Sequence, residues 1–206
     1  MKISDVIDRL GVDLVDKDYV HWSREALLSY INDGLSEMAL SLPSQFRVVA
    51  TVQTETGEVT LPPDGIKVLS VQEVEGRPVN YVEMVKLNQL DAAWRGRVGQ
   101  PSSWTQQEDE ERSYSLYPRP ATRVSVTHAY SAFMPRQEDD ELPVHPAFLP
   151  AVVDYALYRA YGKDGQHASE QTKSMSHYHT FNAAIGREAE VKQRHKRERA
   201  QRENQR

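Results

Sequence analysis

The chain has 206 residues, 39% of them hydrophobic and 27% charged, with a formal net charge of −5 and no cysteine. This size holds one domain, or one domain with an extension. The missing cysteines exclude disulfides and thiolate metal sites, and the acidic balance argues against a general nucleic-acid binder.

The first element reads as a short helix. Ile3, Val6, Ile7 and Leu10 recur on one face, with Ser4 as its cap and Gly11 as its end. SREALLSYINDGLSEMALSLP predicts a longer second helix, with Ser23 as N-cap and Leu27, Leu28, Ile31, Leu35, Met38 and Leu42 at helical spacing. Asn32, Asp33, Ser36 and Glu37 fall on the opposite face, and Pro43 stops the helix. Gly34 in mid-helix costs about 1 kcal/mol relative to Ala, so it marks a close approach.

The middle of the chain changes period. FRVVATVQT alternates, Thr56-Gly57 turns the chain, and EVTLP returns it, which predicts a hairpin. LPPDG is a turn, IKVLSVQEV a strand, GRP another turn and VNYVEMV a further strand. Lys86 to Trp94 reads as a short helix, followed by three strands in SSWTQQ, SYSLYP and TRVSVTHAYS. Helices return after EDDELP. His145 to Tyr161 carries Leu149, Val152, Val153, Ala156 and Ala160 on one stripe, and GKDG breaks it. A last helix is expected from Gln166, with a stripe of Met175, Tyr178, Phe181 and Ile185, extending about 58 Å if it continues to Asn204.

This order predicts an α+β fold. A helical bundle forms from the N- and C-terminal helices, with a small β-subdomain inserted and a long C-terminal helical extension. The expected divisions are residues 1–45 and 142–186 for the bundle, 46–141 for the β-subdomain and 187–206 for a charged arm.

The arm concentrates the chain's charge asymmetry. REAEVKQRHKRERAQRENQR holds eight Lys/Arg against four Asp/Glu, leaving 17 and 26 for the other 186 residues, so a body of −9 ends in a tail of +4. Such a helix has no apolar face to bury on its own subunit. It reads as a solvated end, a basic contact with nucleic acid, or an arm that orders on a protein partner. The interleaved glutamates weaken the nucleic-acid reading and allow the i,i+4 pairs Glu190–Arg194 and Glu198–Arg202.

Motifs for chemistry are scarce. His177 and His179 are two residues apart on a predicted helix and point about 200° apart, so they do not converge on one metal ion. The acidic runs Glu108 to Glu111 and Glu138 to Glu141 lack the spacing that folds a chain around calcium, and read as solvated loops or docking surfaces. There is no Gly-x-Ser-x-Gly, Walker loop or dinucleotide fingerprint. The expectation is a protein that is not an enzyme, with no catalytic residue, metal or cofactor. Trp22, Trp94 and Trp104 are either interface anchors or core residues. No run approaches the roughly 18 apolar residues of a membrane span, and the opening MKISDVIDRL lacks the apolar region of a signal peptide.

Three segments carry a resemblance. WSREALLSYINDGLSEMALSLPSQF places Trp before Leu-Leu-x-Tyr-Ile-Asn-Asp-Gly and ends on Pro. TVQTETGEVTLPPDGIKVLSVQEVEGRPV joins a strand–turn–strand unit to Leu-Pro-x-Asp and a hydrophobic strand. PAFLPAVVDYALYRAYGKDG leads to a helix containing SMSHYHTFNAAIG. In this order the chain resembles the head-to-tail adaptor (connector) proteins of tailed phages, mainly the podovirus type. The resemblance implies a virion protein made in the host cytoplasm and placed at the head–tail interface. It implies a ring of about twelve subunits beneath the portal protein, attached to a tail or nozzle protein and continuing a DNA channel without binding DNA specifically. It also implies that the arm reaches the portal, through Arg187, Lys192, Arg194, Lys196, Arg197, Arg199, Arg202 and Arg206. The alternative is a nucleic-acid accessory protein that binds through the same arm. A third reading is a small hydrolase with a divalent ion in the acidic loops.

Overall fold

The computed structural model describes residues 1–163 and 168–203; the side chains of 188, 189, 191–193 and 195–203 lie outside the description. The fold is α+β. The chain divides into two compact units, one of Met1–Leu42 with the chain from Pro135 onward, the other of Pro43–Met134.

The first unit is helical. Helix α1 spans Ile3–Asp13 and buries Ile3, Val6, Ile7 and Leu10 completely. Its cap is Lys2 rather than Ser4, and the helix runs through Gly11. The glycine serves close approach instead of termination: a Cβ there would lie 3.2 Å from the Tyr19 ring. The first amides of α1 find partners far along the chain, Ile3 N–H donating to Asp140 O and Ser4 N–H to Glu138 O, both at 2.9 Å. The acidic run 138–141 is therefore part of the architecture. It supplies acceptors for donors that a helix start leaves unpaired.

Helix α2, Arg24–Ser41, is capped by Ser23, whose Oγ accepts from Ala26 N–H at 3.2 Å. Leu27, Ile31, Leu35, Met38 and the flanking Leu42 are buried. Gly34 faces helix α4 (Leu149–Lys163), where an added Cβ would sit 3.0 Å from the Tyr155 side chain. Arg24 joins α1, α2 and the acidic run, with Asp8 and Glu138 each at 2.7 Å. These hydrogen bonds, Glu138 first and then Asp8, raise the guanidinium pKa, and Arg24 and then Tyr19 hold the Asp8 carboxyl below its usual range.

The connection from α1 to α2 is tight. Val15 and Tyr19 have φ of 58° and 55°, a backbone region that costs a β-branched residue on the order of 1–3 kcal/mol. Asp16 holds the turn by accepting N–H bonds from Val20, His21 and Trp22 at 2.8–2.9 Å. These donors, Trp22 first, keep its pKa low. Trp22 closes the turn by donating Nε1–H to Ala160 O at 3.3 Å.

The second unit is two four-stranded sheets that share a core. Strands β1 (Arg47–Thr54), β3 (Gly65–Val74), β4 (Arg77–Pro78) and β8 (Val124–Ala132) form one sheet in the order β1-β8-β3-β4. Strands β2 (Glu58–Thr60), β5 (Asn80–Tyr81), β6 (Ser103–Thr105) and β7 (Ser113–Tyr117) form the other in the order β2-β7-β6-β5. The predicted hairpin between β1 and β2 does not form. β1 pairs with β8 and β2 with β7, so the chain changes sheets at its turn. Gly57, at φ 77°, and the Thr54 hydroxyl, which takes its N–H at 3.1 Å, redirect the backbone. The predicted strand VNYVEMV is only β5, because helix α3 begins at Met84 and ends at Leu90. Val68, Val71, Val126 and Tyr130 of one sheet meet Val59, Trp104, Tyr114 and Leu116 of the other. At the centre, His128 is fully buried and shares a 3.0 Å hydrogen bond with the Tyr114 hydroxyl.

Candidate partner-docking arm

Helix α5 runs from Ala168 to Glu203, 36 residues or about 54 Å. The predicted start at Gln166 lies outside the described residues. Its first half is fixed antiparallel to α4. Ser174 Oγ–H donates to Tyr158 O at 2.9 Å, and His177 Nδ1 lies 2.8 Å from Asp154 Oδ1. The His177 ring stacks on Tyr161 at 5.7 Å, and Phe181 meets Tyr155 edge-on at 4.8 Å. Phe181 and Ile185 are buried, but Met175 departs from the predicted stripe and is 47% exposed. At 100° per residue Met175 lies well round the helix from Phe181, and Ser174 takes the buried place.

The same register brings the first residue of α4, Leu149, roughly level with Ile185. Beyond that level α5 continues as helix for the 18 residues from Gly186 to Glu203, about 27 Å. The local reason is compositional: the segment has no Pro, it is rich in strong helix formers, and its Lys/Arg bias suits the negative end of the helix dipole.

The sequence-predicted basic residues fall on this continuation. Arg187 is exposed, its Nε–H donating back to Ala183 O at 3.2 Å, and Arg194 is exposed as well. Lys192, Lys196, Arg197, Arg199 and Arg202 occupy helical positions whose side chains lie outside the description, and Arg206 lies outside the described residues. By helical register the positions of Arg187, Arg194 and Arg197 share one side of the axis, and those of Lys192, Lys196 and Arg199 the other.

The remaining candidates resolve into structure. His177 is engaged with Asp154, and among the described residues no group of three His, Cys, Asp or Glu is placed to hold a metal ion. Glu138 is ion-paired to Arg24, and Glu111 to Lys67. Trp22, Trp94 and Trp104 are each at most 8% exposed within their own units. A polar cavity of about 420 Å³ lies over strands β2, β6 and β7, lined by Glu58, Glu110, Arg95, Arg119, Thr105 and neighbours. Two acidic and two basic residues line it, without a nucleophile hydrogen-bonded to a general base among the described residues. No described helix is long and apolar enough to cross a membrane.

A two-unit α+β chain with its longest helix outrunning its own bundle is the form of an assembly component, and comparison with known proteins agrees. The family model described as SU10 adaptor protein matches residues 1–206, and the chain belongs to that family. The family is one of structural phage adaptors, not of enzymes. The match supports neither the nucleic-acid nor the hydrolase reading. No curated protein matches the chain.

Proposed function

We propose that this adaptor forms a ring of about twelve copies beneath the portal of a short-tailed phage, joins head to tail, and continues the channel through which DNA passes. The observation that carries the proposal is the 18-residue continuation of α5 past the start of α4. A helix this polar gains little by burial against its own subunit, and its order is best used against a neighbour. On this reading the arm docks on the portal through Arg187, Lys192, Arg194, Lys196, Arg197, Arg199, Arg202 and Arg206. The bundle helices make the subunit contacts, and the β-subdomain faces the tail or nozzle protein.

Two physical arguments support the ring. A channel that must pass DNA without holding it needs a lumen that is not basic, and the body's formal charge of −9 supplies acid for one. A ring also presents many arms at once, so contacts that are weak singly become strong together and need no deep apolar anchor. The test is removal of residues 187–206. The truncated chain is expected to keep the melting temperature of the intact body and to lose binding to portal rings. Undiminished portal binding by the truncated chain contradicts the assignment.

A further inference from the structure

The sheet β2-β7-β6-β5 has one face in the core of its unit and one face outside it. Val59, Tyr114, Leu116 and Trp104 turn inward. Alternation along the strands turns Glu58, Thr60, Ser113, Ser115 and Thr105 to the other face. The register sets them in rows. Glu58 lies opposite Ser115 and Ser115 opposite Thr105, while Thr60 lies opposite Ser113. Side chains opposite one another in such rows are about 5 Å apart. A carboxylate and four hydroxyls thus form a floor beneath the polar cavity of about 420 Å³.

Thr105 is 0% exposed, and its hydroxyl has no hydrogen-bond partner among the described residues. A buried hydroxyl left unpaired is costly, so one that lines a cavity calls for a partner inside it. The hydroxyls of Thr60, Ser113 and Ser115 likewise make no hydrogen bond to the described residues. The charged groups of the wall are free as well. Glu58, Glu110, Arg95 and Arg119 all line the cavity, and none is ion-paired among the described residues. The two arginines are held in place. Arg95 lies over the Trp94 ring, 4.5 Å from its centroid, and Trp94 donates Nε1–H to Asn88 Oδ1 at 2.7 Å. Arg119 is fixed through its backbone, its N–H donating to Arg97 O at 2.9 Å and its O accepting from Gly99 N–H at 2.8 Å. Donors placed in advance lose little freedom when a ligand arrives.

We infer that this cavity binds a neutral mono- or disaccharide unit. Its volume falls within the range of small-molecule sites, about 300–1,000 Å³. Two carboxylates and two guanidiniums cancel, so the lining favours neither a phosphate nor a cation, and among the described residues no group of acids and histidines is placed to hold a metal ion. A carboxylate only accepts and a guanidinium only donates, whereas a sugar hydroxyl does both at once. A ring of hydroxyls therefore engages the acids, the arginines and the Ser/Thr floor together. A free amino acid would pair with the charges and leave the floor unpaired. A polypeptide presents its donors and acceptors along a line, while those of the lining surround a cavity. Met84, half-buried in the wall, offers an apolar surface to the C–H side of a sugar ring. The site lies wholly within the second unit and depends on neither the ring nor the arm.

The test is titration of the full-length chain, followed by calorimetry and saturation-transfer NMR. Maltose, lactose and N-acetylglucosamine form one arm, and lipid-free bacterial O-antigen polysaccharide the other, so that a soluble sugar is told apart from a cell-envelope glycan of the same chemistry. Binding of at least one probe is expected, with little dependence on salt. Thr105→Val, Glu58→Gln and Arg95→Ala should each weaken it about tenfold or more. Thr105→Val should also melt no lower than wild type, because the hydroxyl it removes has no partner in the protein. A lower melting temperature would show that this hydroxyl is satisfied within the fold, and would count against the site. Failure of every probe to bind at millimolar concentration overturns the inference, as does undiminished binding by Thr105→Val.

Discussion

His128 shows how much one side chain can decide. Its ring is fully buried between the two sheets, with Nδ1 engaged by Tyr114 and Nε2 without a partner among the described residues. Burial lowers its pKa below the ordinary 6.5. An unfolded chain therefore binds a proton at a pH where the folded chain does not, and stability rises with pH across that window. The contribution of His128 is expected to be constant above about pH 6.5 and to be lost progressively as the pH falls below it. Urea midpoints measured from pH 5 to 8 should drop on the acid side in wild type, and the drop should shrink in His128→Gln. Equal pH profiles for the two chains would sink this account. Gly34 is a steric counterpart. Its missing Cβ lets α2 lie against Tyr155, so Gly34→Ala is expected to destabilise the helical unit by about 1–3 kcal/mol in spite of the better helix propensity of Ala. A stabilised variant in denaturant melts would show that the contact gives way freely.

At the scale of elements, α5 depends on its aromatic seam with α4. Phe181 is 2% exposed and meets Tyr155, so Phe181→Ala should cost about 3–5 kcal/mol by chemical denaturation. A cost under about 1 kcal/mol would mean that the seam does not hold the helix. The helices are the legible part of the sequence, because a 3.6-residue period reports burial directly: Ile3, Val6, Ile7 and Leu10, and then Leu27, Ile31, Leu35, Met38 and Leu42, are buried as their spacing requires, while Leu28, expected on the same stripe, is only half-buried. Ser23 and Gly34 were legible for equally local reasons. What could not be read were the partners distant in sequence. Nothing near Ile3 announces that its amide bonds to Asp140, and nothing in EVTLP says that it joins β7 instead of returning to β1. A turn signal fixes where the chain bends, while sheet membership is set by which face must be covered. Met175 was misplaced because one large apolar residue near a stripe outweighs a serine in any hydrophobic count, although Ser174 is the one whose hydroxyl reaches a carbonyl of α4.

For the whole molecule, the governing feature is a split of charge along the chain, an acidic body and a basic arm. If the arm docks through that charge, portal binding should weaken markedly as ionic strength rises, because exposed ion pairs are screened within a Debye length of about 8 Å at physiological salt. Binding that is indifferent to salt would point to an apolar contact instead. The match of one family model to all 206 residues agrees with a chain whose two units and long helix act as one component.

The most direct measurement is hydrogen–deuterium exchange across residues 187–203, made on the chain alone and again on the chain bound to portal rings. The account predicts fast exchange of these amides in the free chain, since a polar helix without tertiary packing opens readily, and strong protection once the portal is present. Equal protection in both states would mean that the rod is already satisfied by its own subunit, and would contradict the docking role assigned to it.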